Sequence, residues 1–133
     1  MTDQTAKAQK FQALHEQREP FLIPNPWDAG SAKLLASLGF DALATTSLGV
    51  ACIDGATKTS AEAILQNCRA ICDASDLPVN ADLENCFADA PAEAAALIPR
   101  AYEAGAVGAS IEDATGRAGD PIYDFNLTVE RVH

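Results

Sequence analysis

Two short segments constrain this chain most. One is Val79-Asn80-Ala81-Asp82-Leu83-Glu84-Asn85, the other Val107-Gly108-Ala109-Ser110-Ile111-Glu112-Asp113. Each begins small and apolar, as a buried parallel strand does. Each ends in carboxylates where the strand gives way to a loop. Side chains alternate along a strand, so Asn80, Asp82 and Glu84 share one face, and Ser110 and Glu112 share a face of the second. Carboxylates gathered at one end of a sheet repel each other unless a cation lies among them, and clustered hard oxygens suit Mg²⁺ or Mn²⁺. The simpler reading makes them solvated loop acids or helix caps. One such strand end favours the simpler reading; two in similar positions favour a metal site.

The rest of the chain supplies the alternation that a parallel sheet needs. Strands are expected at 21–24, 42–46, 78–83 and 107–111, and helices at 4–17, 31–38, 59–74 and 91–103, with a last helix starting near Asn126. The helix over 59–74 carries Ile64, Leu65, Cys68, Ile71 and Cys72 at helical spacing, and Thr59 to Glu62 fits a capping box. Helix, glycine turn and strand recur in the same order at Leu38-Gly39-Phe40-Asp41-Ala42-Leu43 and Ala104-Gly105-Ala106-Val107-Gly108-Ala109. Alternating strands and helices imply an α/β fold with a parallel sheet. It is either an open doubly wound sheet or the first four or so units of a (β/α)₈ TIM-barrel, whose strand ends form the active-site rim. No Gly-x-Gly-x-x-Gly or Gly-x-x-x-x-Gly-Lys follows a strand, which removes support for the nucleotide-binding open sheets.

Composition narrows the function classes. The chain has 133 residues, enough for one domain over 1–133. Nineteen acids against 9 bases give a formal net charge of -10, which argues against nucleic acid as a partner. Cys52, Cys68, Cys72 and Cys86 form no Cys-x-x-Cys pair, and the two histidines, His15 and His133, lie near none of them, so a zinc site is not expected. Cys68 and Cys72 read as core. No signal peptide or membrane-spanning run is recognised, and the expectation is a soluble protein of the reducing cytoplasm.

Four stretches together resemble the isocitrate lyase and phosphoenolpyruvate mutase superfamily: Asn25-Pro26-Trp27-Asp28-Ala29-Gly30-Ser31-Ala32, Thr45-Thr46-Ser47-Leu48-Gly49-Val50-Ala51, Asn80-Ala81-Asp82-Leu83-Glu84-Asn85 and Ser110-Ile111-Glu112-Asp113. The resemblance implies an α/β barrel enzyme, a lyase or mutase that breaks or forms a C–C or C–P bond beside a 2-oxo acid through an enolate, with Mg²⁺ (or Mn²⁺) as cofactor. It places Asp82 and Glu112 in catalysis and Asp82, Asp54 and Glu112 around the metal, with Glu84 as the compensating metal carboxylate for Asn80. It also places Thr46, Ser47 and Leu48 against a small 2-oxo acid or phosphonate substrate. Read from the residues alone, Thr45-Thr46-Ser47 equally well ends a strand with local hydroxyl hydrogen bonds. Asp28 matches a family residue and also suits a helix N-cap. Trp27 reads as a pocket wall or as core.

The sequence departs from that pattern in four ways. The loop between Ser47 and Asp54 is several residues shorter than the family's. Asn80 stands where the family has an acid. The loop 113–120 lacks the cysteine that serves the lyase branches as acid or base, so isocitrate-type cleavage by that route is not expected. The sequence given ends at His133, where the family barrel is about half built. From this we expect a homo-oligomer, because open strand edges invite pairing. The alternative function is a non-catalytic truncated barrel that binds small anions or self-associates.

Overall fold

A computed structural model describes residues 3–133. Its elements are α1 (Asp3–Glu16), α2 (Ala29–Ser37), β1 (Leu43–Ala44), α3 (Ser47–Ile53), α4 (Ala61–Ala74), β2 (Val79–Asp82), α5 (Pro91–Ala95), α6 (Leu97–Glu103), β3 (Gly108–Ser110), β4 (Ala114–Arg117), β5 (Asp120–Ile122) and α7 (Phe125–Val132). β1, β2 and β3 form a parallel sheet in sequential order. This arrangement excludes a doubly wound order with the first strand in the middle. Ladder hydrogen bonds run a little past the strands, from Thr45 N to Asn80 O at 2.9 Å and from Leu83 N to Ser110 O at 3.2 Å.

The segment 21–24 is not a strand, which corrects the sequence expectation. It lies alongside β1 but makes one backbone bond to it, Ala44 N to Pro24 O at 3.1 Å. Pro20, Pro24 and Pro26 carry no N–H, so a ladder cannot propagate through them. Asn25 replaces part of it by donating its side-chain amide to Ala44 O at 3.1 Å. The helix expected at 91–103 is interrupted at Ala96. Pro99 has no N–H to offer the Ala95 carbonyl, so the i to i−4 run breaks there.

α4 is the main cover of the sheet. Its Ile64, Leu65, Cys68, Ile71 and Cys72 are buried on one stripe against Leu43, Val79, Ala81 and Leu83. Each large apolar side chain so buried contributes about 1.5–3 kcal/mol. The N-cap of α4 is Ser60, whose hydroxyl accepts from Ala63 N at 3.3 Å, one residue later than the Thr59 cap expected. The Thr59 hydroxyl oxygen is left buried without a hydrogen bond among the described residues.

α1 buries no residue fully. It is held by side chains reaching backbone carbonyls instead: Gln4 donates to Tyr102 O at 2.7 Å and Ala106 O at 3.0 Å, and Lys7 donates to Ser75 O at 3.0 Å. The Phe11 ring sits so close to Gly108 that a Cβ there would lie 2.6 Å from it.

Candidate functional site

β2 alternates as the sequence pattern requires. Val79, Ala81 and Leu83 are buried toward the helices, while Asn80 and Asp82 are half-buried on the other face. The Asp82 carboxylate is fixed by two backbone donors, Ser47 N to Oδ2 at 2.8 Å and Glu84 N to Oδ1 at 3.1 Å. Its own N–H donates to the Thr45 hydroxyl at 2.9 Å. Asp82 therefore ties β2 to the start of α3, and the ends of β1 and β2 are locked together.

The sequence places Thr46, Ser47 and Leu48 at the end of a strand. They form the start of α3 instead. Thr46 is the N-cap, its hydroxyl accepting from Gly49 N at 3.3 Å. Leu48 is exposed. The helix packs closely: a Cβ at Gly49 would lie 2.6 Å from Thr46 Cγ2 and 2.8 Å from the Trp27 ring. Trp27 is half-exposed and forms this wall. Asp28 caps α2, accepting from Ser31 N at 2.7 Å, and Ser31's backbone and hydroxyl donors hold its carboxyl below the usual carboxylate range.

After β2 the chain turns sharply. Glu84, Cys86 and Phe87 take positive φ, at 49°, 56° and 56°. Each non-glycine residue there costs about 1–2 kcal/mol. The turn re-aims Glu84, which lines a cleft of about 310 Å³ with Glu112, Lys58, Thr59, Asn85 and Thr115. Glu112 reaches the same place through its backbone, Glu112 N donating to Glu84 O at 2.7 Å. Desolvation raises the Glu84 carboxyl above its ordinary value, and the nearby charges of Asp82 and Glu112 push it further. A hydrogen bond from Ser47 and the charge of Lys58 pull it partly back.

The structure thus brings Asp82, Glu84, Glu112 and Ser47 together. It does not bring Asp54 to them. Asp54 caps the far end of α3, seven residues beyond Ser47 and about 10 Å along the helix. Among the described residues, no three His, Cys, Asp or Glu side chains converge as a direct ligand set for a metal ion. The donor chemistry still fits a hard divalent cation. Hard oxygens gather with little positive charge to offset them, and Glu84 is held partly desolvated beside two carboxylates. Asp82, Glu84 and Glu112 are the residues that would hold such an ion, chiefly through water.

Sequence reading missed the scaffold behind the loop. β4 and β5 form an antiparallel hairpin over 114–122, joined through Ala118 and Gly119. Tyr123 follows it and is buried; its hydroxyl donates to Asp89 Oδ1 at 2.6 Å and accepts from Asn85 Nδ2 at 3.0 Å. Arg117 Nη1 donates to both Asp89 oxygens at 3.0 Å. Arg131, buried in α7, donates to the carbonyls of Asn85, Ala88 and Asp89 and stacks on the Tyr123 ring at 4.2 Å. These bonds hold the strained 84–87 turn. Gly116 and Gly119 in Thr115-Gly116-Arg117-Ala118-Gly119-Asp120 were the available hairpin signal.

Comparison with known proteins agrees with this geometry. The pattern of the phosphoenolpyruvate phosphomutase family matches residues 11–133. A candidate lyase/mutase of Burkholderia cenocepacia J2315 is 52% identical, with TM-score 0.95, over 99% of this chain and 48% of that one. A candidate phosphonomutase of the same organism is 33% identical, with TM-score 0.90, over 97% of this chain and 52% of that one. Phosphonopyruvate hydrolase in complex with oxalate and Mg²⁺ is 18% identical, with TM-score 0.84, over 99% of this chain and 46% of that one; at that identity the likeness is one of fold. The chain therefore spans about half the length of the solved structures it matches. With the family pattern covering all but the first ten residues, the chain belongs to the phosphoenolpyruvate phosphomutase family.

Proposed function

We propose that residues 1–133 form one domain, the N-terminal part of a (β/α)₈ barrel enzyme. The enzyme is a Mg²⁺-dependent lyase or mutase acting on a C–C or C–P bond beside a small 2-oxo acid, through an enolate. The observation that carries this reading is the meeting of Asp82, Glu84 and Glu112 at the C-terminal ends of β2 and β3. That is the end where barrel enzymes place their chemistry. Four free cysteines fit a reducing cytoplasmic location. Family membership and the Mg²⁺–oxalate complex of the hydrolase support the substrate class.

Breaking a bond next to a carbonyl leaves negative charge on the carbonyl oxygen, and Mg²⁺, when bound, supplies Lewis-acid stabilisation of that charge. The chain's own residues do the positioning. Asp82 is held in one orientation by the Ser47 and Glu84 N–H groups. Ser47 N–H is spent on Asp82 and Gly49 N–H on Thr46. The Leu48 N–H is therefore the donor we assign to a substrate oxygen. Glu112 and Glu84 would hold such a cation through water.

A second reading, a non-catalytic anion-binding module, draws on the lack of a direct three-ligand set among the described residues. Thermal melts of the full-length enzyme with Mg²⁺ and oxalate separate the two. Binding to the folded state alone raises stability as RT ln(1 + [L]/Kd), about 2.7 kcal/mol at a hundredfold excess over Kd. We expect Asp82→Asn to abolish the Mg²⁺-dependent rise and Asp124→Asn to keep it. Asp124 caps α7 through Asn126 N and Leu127 N, a role asparagine also fills. No Mg²⁺-dependent rise in the wild type would overturn the metal-enzyme reading.

A further inference from the structure

We propose that Lys58 builds an anion-binding subsite in the 310 Å³ cleft, one that takes the distal carboxylate or phosphonate of a 2-oxo acid substrate. The proposal deepens the function argued above by naming what the substrate must carry at its far end.

The cleft is chemically two-sided. Glu84 and Glu112 line it and suit a cation. Lys58 is the single cationic side chain among its lining residues, which otherwise include Thr57, Thr59 and Thr115. Lys58 is exposed and, among the described residues, makes no ion pair or hydrogen bond, whereas Lys7, Lys10, Arg100 and Arg117 each meet a carboxylate. It lines the same cleft as Glu84.

The Thr59 hydroxyl is an independent sign. Its oxygen is buried and has no hydrogen-bond partner among the described residues, although the residue lines the same cleft. A buried hydroxyl left unpaired costs about 1–3 kcal/mol, a cost removed if the side chain turns toward an acceptor bound in the cleft. The Thr115 hydroxyl is by contrast already spent on Asp120 O and Arg117 N.

Charge makes a local cation necessary. A chain of net charge -10 repels a dianion, so a substrate with two anionic ends needs positive charge at each. A bound divalent cation would serve the 2-oxo acid end. Lys58 serves the other. Its compact ammonium, with three rotatable donors, suits either a carboxylate or a phosphonate. The position is anchored from behind, because Ser60 caps α4 two residues later and Ile64 and Leu65 fix that helix in the core.

The test is calorimetric titration of the full-length enzyme with Mg²⁺ present, using phosphonopyruvate, oxaloacetate and pyruvate. Pyruvate lacks the distal anion. We expect Lys58→Met to weaken phosphonopyruvate, oxaloacetate or both about tenfold or more, with pyruvate unchanged and Lys58→Arg within about threefold of wild type. Whichever ligand loses affinity names the anion. An equal loss for pyruvate, or no loss for either dianion, would overturn the proposal.

A second arm keeps the subsite separate from the metal reading. Phosphonoacetate is titrated without metal and followed by amide NMR shifts. Shifts at Thr57 to Ser60 that vanish in Lys58→Met support the subsite even if Mg²⁺ and pyruvate fail to bind. No shift there in the wild type rules it out.

Discussion

At the scale of single residues, the site depends on contacts that carry no charge. Gly49 is the sharpest case. It sits in the first turn of α3, with the Trp27 ring and the Thr46 methyl both closer than any Cβ tolerates. Neither neighbour can yield easily. Trp27 O accepts from Asn67 Nδ2 at 2.7 Å, and Thr46 caps the helix. Gly49→Ala should destabilise the protein by about 1–3 kcal/mol through overpacking. It should also pull Ser47 N from Asp82. Chemical denaturation reads the first effect, and loss of the Mg²⁺-dependent rise in melting temperature reads the second. Wild-type stability in the alanine variant would show that α3 is looser than this packing implies.

At the scale of elements, the 84–90 loop is shaped from outside. Its left-handed residues are held by the β4–β5 hairpin and α7 together with the local bond from Phe87 N to Asn85 Oδ1. Asp89 is the junction. The Tyr123 hydroxyl and the Arg117 guanidinium hold its carboxyl below the usual range. A depressed folded-state value means the folded state binds this proton less tightly than the unfolded chain does. The stabilisation is therefore present above the ordinary aspartate value, about 3.9, and is lost as pH falls below it through the folded value. Asp89→Asn should flatten that acid limb of stability against pH. It should also lower hydrogen-exchange protection across 114–122 while leaving β2 protected. Unchanged exchange in the hairpin would show that Arg131 alone holds the loop.

At the scale of the whole molecule, apolar surface remains uncovered. Leu22, Leu34, Leu38, Leu48, Phe125 and Val132 are each more than 60% exposed. Among the described residues, no strand pairs with the outer edge of β3. Phe125, Val129 and Val132 stand on one face of α7 at helical spacing. Surfaces of this kind are interaction sites or aggregation hazards. The 133-residue chain on its own should elute from size exclusion well above the mass of 13.9 kDa, and turnover of oxaloacetate should be slight. A compact monomer with Mg²⁺-dependent lyase activity would show that the chemistry needs less of a barrel than proposed.

Local rules account for what was legible in the sequence. Period-two alternation in Val79-Asn80-Ala81-Asp82 set which side chains are buried, and helical spacing in 61–74 set the face of α4. The parallel sheet followed from alternating strands and helices, while its sequential order is what the family resemblance implied. Proline placement also carried information that the expected strand at 21–24 did not use. What only the tertiary structure decided lies in the connections. Thr46 to Leu48 became a helix start because Asp82, from another strand, fixes Ser47 N. Glu84 turned into the cleft because Arg131 and Asn85, the former 47 residues away, hold a backbone that its own side chain disfavours. Asp54, expected beside the same ion as Asp82, lies at the far end of α3 from Ser47, the residue that holds Asp82. Propensity acts over a few residues; these outcomes are set by hydrogen bonds between distant ones, which no local pattern encodes.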